Sequence, residues 1–485
     1  MNDSNPGLRL SRRSALAGAL GAVAAAAAGT PAIAHTSTRK PNVLFIMADD
    51  LGYADLSCYG RRDYETPVLD RLAAQGMMFM HAYANSAVCT ATRVALASGR
   101  YQYRLPIGLQ EPLGVMDVGL PPSTEQPSIA SAMRDAGYHT SLIGKWHMGN
   151  LPKYGPLQSG YDEFWGLRGG GVDYYRHGFN GNVDLWDGDT KVEDAGYMTD
   201  LLADRTIQTL ERRAKDQRPF FISLHFTAPH WPWQSPDEEG RAESDRIAAS
   251  NNPSAFMHYD GGTMETYAGI MRSLDSNIGR VLTRLANLGM DRDTIVVFTS
   301  DNGGERFSDT WPFSGKKTEL LEGGLRVPAI VRWPGVVMAG TRSDVPIMSM
   351  DWMPTFVSAG GGLPSNRFPS DGLDIAPALL GGRLADRPLF WRFGNKNQKA
   401  MRRGQFKYLS INDNEFLFDV VRDPLERGNL KDRMPDRFAA LKAEWQTWDA
   451  TMLHDPNAPS FGISPSMQAD HFAPGAPPPA ASAPE

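Results

Sequence analysis

Cysteine is scarce in this chain: the 485 residues hold two, Cys58 and Cys89. One disulfide is the most they allow, and spacing alone leaves open whether they meet. An excess of positive charge is also missing. Lys and Arg total 49 against 55 Asp and Glu, a net charge of −6, and no basic cluster offers a phosphate footprint, so no nucleic-acid partner is expected. Long apolar runs are missing too. The Ala/Gly-rich stretch 15–28 is weakly apolar and short, and no other segment is apolar enough to span, so no stable membrane span is expected. Ten histidines show no metal-spaced set, and no internal repeat is visible. What remains is an ordinary soluble composition, 41% hydrophobic and 21% charged, long enough for one large and one smaller domain.

Residues 1–34 read as an export signal. Ser11-Arg12-Arg13-Ser14-Ala15-Leu16 carries a twin arginine, and Ala32-Ile33-Ala34 is a small-x-small cleavage site that starts the mature chain near His35. The expected partner is a twin-arginine translocase, and the expected location is periplasmic or secreted.

Four apolar runs share one grammar. Residues 43–47 end in Asp49-Asp50 and 140–143 in Gly144-Lys145-Trp146-His147. Residues 220–226 end in Ala228-Pro229-His230, and 295–299 in Ser300-Asp301-Asn302-Gly303. Continuous apolar runs fit strands buried on both faces, hence a parallel sheet covered by helices. Helical stretches at 67–74, 127–136, 198–213 and 263–288 alternate with them. The fold class is therefore α/β: a large doubly wound, mixed or parallel sheet domain over 40–383. Ligands of such sheets sit at the strands' carboxyl ends, where all four polar clusters fall. Short strand candidates at 388–393, 399–402, 406–409 and 416–419, then a helix over 436–452, imply a smaller C-terminal α+β domain, 384–454, with an antiparallel sheet and one helix. The charged stretch 235–253 reads as an exposed loop, and the Pro/Ala-rich 455–485 as a disordered tail.

Asp49, Asp50, Asp301 and Asn302 offer oxygen ligands only, which suits Ca²⁺ or Mg²⁺ and not Zn²⁺; solvated turn residues are the alternative. Segment 89–100, Cys-Thr-Ala-Thr-Arg-Val-Ala-Leu-Ala-Ser-Gly-Arg, reads as a helix start with Thr90 or Thr92 as cap. A Cys89 at such an N-terminus beside Arg93 has a lowered pKa and is a nucleophile candidate; a buried structural cysteine fits equally. His147 and His230 are acid–base candidates near neutral pH. Trp146, Trp231, Trp233, Tyr174, Tyr175 and His177 lie near the polar clusters, as an aromatic wall for a leaving group or as core.

Segment 89–100 resembles the type I sulfatase signature Cys-x-Pro-Ser-Arg-x-x-Leu-x-x-Gly-Arg at Cys89, Arg93, Leu96, Gly99 and Arg100, and departs from it at Ala91 and Thr92. Gly144-Lys145-Trp146-His147, Ala228-Pro229-His230 and the block 315–328 match further motifs of that family in order. Counting five residues back from Glu322 picks Lys317, not Lys316. The resemblance implies conversion of Cys89 to Cα-formylglycine by a maturation enzyme. It also implies one Ca²⁺, with Mg²⁺ possible, held by Asp49, Asp50, Asp301, Asn302 and residue 89. Arg93, Lys145 and Lys317 would neutralise a sulfate ester, with His147 and His230 moving protons. The implied reaction is hydrolysis of a sulfate monoester, aryl or carbohydrate, to an alcohol or phenol and inorganic sulfate. The family's leaving-group serine is replaced here by glycines 169–171. The competing readings are a phosphomonoester, phosphodiester or phosphonate hydrolase of the same superfamily, and a non-catalytic sulfated-glycan-binding protein with Cys89 unmodified.

Overall fold

The computed structural model describes residues 40–461 apart from 115–116, 180, 251–252 and 259–260. The expected signal at 1–34 and the expected tail from 462 onward lie outside these residues.

The four apolar runs become neighbouring strands of a ten-stranded sheet. Its strands are β1 (Asn42–Ala48), β2 (Met77–Phe79), β3 (His139–Gly144), β4 (Glu163–Gly166) and β5 (Trp186–Asp187). They continue with β6 (Thr190–Lys191), β7 (Phe220–His225), β8 (Thr294–Ser300), β9 (Ala329–Arg332) and β10 (Thr341–Ser343). The spatial order is β10-β2-β9-β8-β1-β7-β3-β4-β5-β6. The block β8-β1-β7-β3-β4 is parallel; β9 and β5 join it antiparallel, making the sheet mixed. Met47 pairs with both His225 and Thr299, and His225 also pairs with Gly144. The carboxyl ends of four strands are therefore level, and each polar cluster leaves from the same edge.

Helices fill both faces. They are α1 (Pro67–Ala74), α2 (Cys89–Ser98), α3 (Ile129–Asp135), α4 (Met198–Arg213), α5 (Glu238–Ala249) and α6 (Met264–Asn287). Along β1, Leu44, Ile46 and Ala48 pack with Leu202 and Leu210 of α4 and with Ile270 and Leu274 of α6. Phe45 meets Trp352 and Phe356 at 6.0 and 5.9 Å between ring centroids. Alternate residues thus serve opposite faces. In α6 the buried residues Tyr267, Ile270, Met271, Leu274, Ile278, Val281 and Leu285 recur every three or four positions, and Thr263 Oγ1 caps the helix by accepting from Thr266 N.

At the C-terminus, β11 (Leu389–Phe393), β12 (Gln398–Arg403), β13 (Phe406–Ile411) and β14 (Asn414–Asp419) form an antiparallel sheet in sequence order, followed by α7 (Pro435–Asp449). Trp391, Met401, Leu417 and Trp445 of this unit pack in one cluster with Cys89, Ala91 and Ala95 of α2. Each large side chain so buried contributes about 1.5–3 kcal/mol. The smaller sheet therefore shares its core with the helix that starts at Cys89.

Two local expectations change. The stretch read as an exposed loop holds α5, because Asp237 accepts from Gly240 N and Glu238 and Glu239 sit in the first turn, where the helix dipole favours acid. Residues 455–461, assigned to the tail by composition, run back beside Glu111, which bonds Pro459 O and Phe461 N through its backbone and Ser460 Oγ through its carboxylate. Both cysteines are free thiols. No helix among the described residues is long and apolar enough to cross a membrane.

Candidate active site

Cys89 opens α2, whose ten residues are all buried. Val88 occupies the cap position in extended conformation, and no side chain caps the helix. The threonines expected there are engaged elsewhere. Thr90 Oγ1 accepts from Leu113 N, while Thr92 Oγ1 accepts from Ser86 N and donates to Ser86 O.

Ligand atoms of Cys89, Asp49 and Asp301 lie within 4.8 Å of one another, all buried. His147 Nδ1 is 3.3 Å from Cys89 Sγ. Arg93 donates to Asp301 Oδ2 from Nε at 2.9 Å, and its Nη2 lies 2.8 Å from the same oxygen and 3.5 Å from Asp49 Oδ1. Lys145 Nζ reaches Asp49 Oδ2 at 2.6 Å. Lys317 Nζ reaches Asp50 Oδ2 at 2.6 Å and Glu305 Oε1 at 3.2 Å. His230 Nε2 stands 3.5 Å from Asp50 Oδ2, and its Nδ1 donates to Trp231 O at 2.6 Å. Asn302 Nδ2 donates to Asp50 Oδ1 at 2.7 Å. All ten expected catalytic and ligand residues thus converge. Arg93 and Lys145, expected against the sulfate itself, face carboxylates and are fully buried.

The electrostatics follow from burial. Burial pushes the Cys89 thiol up, against the lowering expected at a helix N-terminus, and Lys145 and Lys317 only partly offset it. Burial also lifts Asp49 well above the carboxylate range despite Lys145. For Asp301 burial acts the same way, but Arg93 and Lys145 outweigh it and hold the group low. Asp50 is likewise held low against burial by Lys317 and His230. Burial, then Lys145 and Arg93, keeps His147 neutral, and burial holds His230 down at about 3 against Asp50. Asp50 and His147 both sit at positive φ, 63° and 54°, conformations that non-glycine residues adopt mainly where surroundings enforce them.

The aromatic wall is mostly core. Trp146 is fully buried and donates to Gly149 O and Tyr154 O. Trp233 is 2% exposed and packs on Phe307 and His258. Tyr174 is fully buried and donates to Thr227 O and His230 O, so it braces the His230 loop. Tyr175 donates to Ser235 O and His177 is buried against Gly196 O. Trp231 is half-buried at the site, its ring 4.2 Å from His230 and its Nε1 donating to Glu305. The glycines at 169–171 gain a role. A Cβ on Gly170 would lie 2.4 Å from His147 Cε1, and one on Gly171 3.2 Å from His230 Cε1, so bare backbone covers both rings. Glu305 was missed; its signal is the carboxylate three residues past Asn302, in the same turn.

A family model described as Sulfatase matches residues 41–362. The chain belongs to the sulfatase family. N-acetylgalactosamine-6-sulfatase of Canis lupus familiaris is 31% identical over 420 residues, 80% of this chain and 74% of that protein. Arylsulfatase A of Homo sapiens is 28% identical over 501 residues, 89% and 92% of the two chains. The crystal structure of Ps i-CgsB superposes with a TM-score of 0.77 at 29% identity over 86% of this chain and 94% of that one, and the same protein is known in complex with k-i-k-neocarrahexaose at a TM-score of 0.76. This sulfatase is thus an enzyme that hydrolyses sulfate esters, and its motif residues meet at one strand edge.

Proposed function

We propose that this sulfatase releases sulfate from a sulfated carbohydrate, with residue 89 as formylglycine and Ca²⁺ held by Asp49, Asp50, Asp301 and Asn302. The observation that carries the reading is the meeting of the residue 89 side chain with Asp49 and Asp301 inside 4.8 Å. The donor set fits such a cation. Asp49 Oδ1 and Asn302 Oδ1 are buried without a hydrogen-bond partner, and every protein donor apart from residue 89 is oxygen. Among the described residues this is the one Asp/Cys cluster with ligand spacing, and no His-rich second metal set accompanies it, which disfavours the zinc-type phosphoester reading.

When bound, the cation supplies charge that acidifies a hydroxyl at position 89 and neutralises sulfate oxygens. Formylglycine supplies two hydroxyls on one carbon when hydrated, one to displace the alcohol and one to let sulfate go. The chain's own residues do the rest. His147, kept neutral, can take a proton through Nδ1 from the residue 89 side chain. Arg93 and Lys145 hold Asp301 and Asp49 in place. His230 Nε2 and Lys317 Nζ converge on the same atom, Asp50 Oδ2, which supports assigning both to the departing alcohol oxygen. Lys317 stays protonated although burial opposes it, because Asp50 and Glu305 face it, so it has a proton to give. Trp231 offers a half-buried ring of the kind on which sugars stack.

The carbohydrate reading is supported by the sugar names of the relatives and by that ring. Export by the twin-arginine route to the periplasm belongs to the same proposal and draws on Arg12 and Arg13. Sulfate release should be faster from sulfated galactose or N-acetylgalactosamine saccharides than from an aryl sulfate, and negligible phosphate should leave an aryl phosphate. Chelation followed by Ca²⁺ or Mg²⁺ readdition assigns the ion. Preference for the aryl phosphate would overturn the reading.

A further inference from the structure

Lys317 rides on a segment that is held from the C-terminal sheet. Its own N–H donates to Gly304 O at 3.0 Å. The next residue, Thr318, sits at φ 69°, a left-handed conformation that a β-branched side chain disfavours. Two hydrogen bonds enforce it. Thr318 N donates to Ala87 O at 2.8 Å, two residues before Cys89, and Gln398 Nε2 donates to Thr318 O at 2.8 Å. Gln398 also accepts from Leu320 N through Oε1 at 2.8 Å and donates to Asn395 O at 3.1 Å. It is the first residue of β12 and is 1% exposed. One amide side chain therefore grips the backbone at 318 and 320, while the other side of residue 318 is tied to the approach to α2.

We infer that Gln398 is a positioning residue for catalysis: it locks Thr318 in the left-handed conformation that aims Lys317 at Asp50 and Glu305, which makes the C-terminal sheet part of the catalytic apparatus. The inference rests on the reading that Lys317 serves the leaving group. Lys317→Met tests that reading separately, since unchanged turnover in that variant would remove it whatever Gln398 does.

The discriminating experiment is a cycle on the mature full-length enzyme with p-nitrophenyl sulfate: parent, Gln398→Met, Thr318→Gly and the double variant, with kcat, KM and thermal midpoint for each. Glycine adopts positive φ without bracing. The expected result is that Gln398→Met lowers kcat about tenfold, with KM within about twofold, when residue 318 is Thr. With glycine at 318 the same substitution lowers kcat less than about twofold, because the backbone no longer needs the brace. Equal losses in both backgrounds, or a change confined to KM, would overturn the inference. Should Gln398→Met fail to accumulate folded, Gln398→Asn, whose amide is one methylene short of residue 318, gives the same reading.

Discussion

Two of the buried ionic clusters among the described residues are built to opposite ends. Beneath the C-terminal sheet, Lys407 stands 2.9 Å from both Glu322 Oε1 and Glu426 Oε1. Glu322 Oε2 accepts from Arg326 and Tyr83, and Glu426 Oε2 accepts from Glu322 N. Each of these four carboxylate oxygens has a cation, hydroxyl or N–H within 2.9 Å, although Glu426 Oε1 meets Lys407 as an ion pair without a hydrogen bond. At the strand edge, four acids, Asp49, Asp50, Asp301 and Glu305, meet three cations. Asp49 Oδ1, Asn302 Oδ1 and Glu305 Oε2 lack a hydrogen-bond partner, and Asp50, His147 and Thr318 have left-handed backbones. The first cluster ties the C-terminal sheet to the short helix Glu322–Leu325. The second gathers carboxylate oxygens and the Cys89 sulfur at ligand spacing. An excess of acid over cation, gathered around a thiol at ligand spacing, distinguishes the working site, because the first cluster matches two acids with two cations and has its own left-handed residue in Glu426, φ 53°.

That contrast breaks most sharply at Cys89. Cys89→Ala should abolish sulfate release with a nearly unchanged thermal midpoint, and Cys89→Ser should allow at most one slow turnover. An inactive variant that is also unfolded would make the site a staple too. Next comes the paired lysine test. Lys317→Met should lower kcat/KM about 10²–10³-fold. Lys407→Met leaves Glu322 and Glu426 without their shared cation and should cost about 3–5 kcal/mol of stability, read by chemical denaturation, while turnover per folded molecule holds. Equal kinetic losses in the two would erase the distinction.

Gly170→Ala is smaller: its methyl strikes the His147 ring, and kcat should fall about tenfold with the thermal midpoint little changed. The smallest effect is pH-dependent and lies away from both clusters. Burial lifts Glu111 from 4.5 to about 7, although Gly394 N and Ser460 Oγ donate to it. Because the folded pKa is the higher one, the contribution is complete below 4.5 and is lost as pH rises to about 7, an effect of about 3 kcal/mol at most. Glu111→Gln keeps the acceptor oxygen and should remove that decline. Thermal midpoints of the two proteins from acid to neutral pH should diverge, the parent falling below the variant as pH rises, and a constant difference would refute it.

Much of this was legible in the residues. The four core strands announce themselves because parallel strands buried on both faces must be apolar throughout, and their polar ends mark the edge. The candidate ligands and the cations that the fold brings beside them were readable because they fall at strand ends and in motifs with fixed spacing. For Trp146, Trp233 and Tyr174 the choice between wall and core stayed open, because nearness in sequence does not say which way a side chain turns, and the fold buries all three. The sign of the Cys89 shift was missed because composition cannot report complete burial. Gln398 was invisible because it acts through Thr318, which only the fold brings near; Glu305 had a signal in its place three residues past Asn302, but its partners Lys317 and Trp231 are brought to it only by the fold.

The central claim is that residue 89, changed from thiol to aldehyde and surrounded by Asp49, Asp301 and His147, is the reacting group. Its most direct test is to prepare the protein at several degrees of maturation, read the residue 89 peptide by mass spectrometry, and time sulfate release by each sample. The rate should rise in proportion to the aldehyde fraction and vanish with it. Undiminished multiple turnover by protein carrying only the thiol would contradict the account.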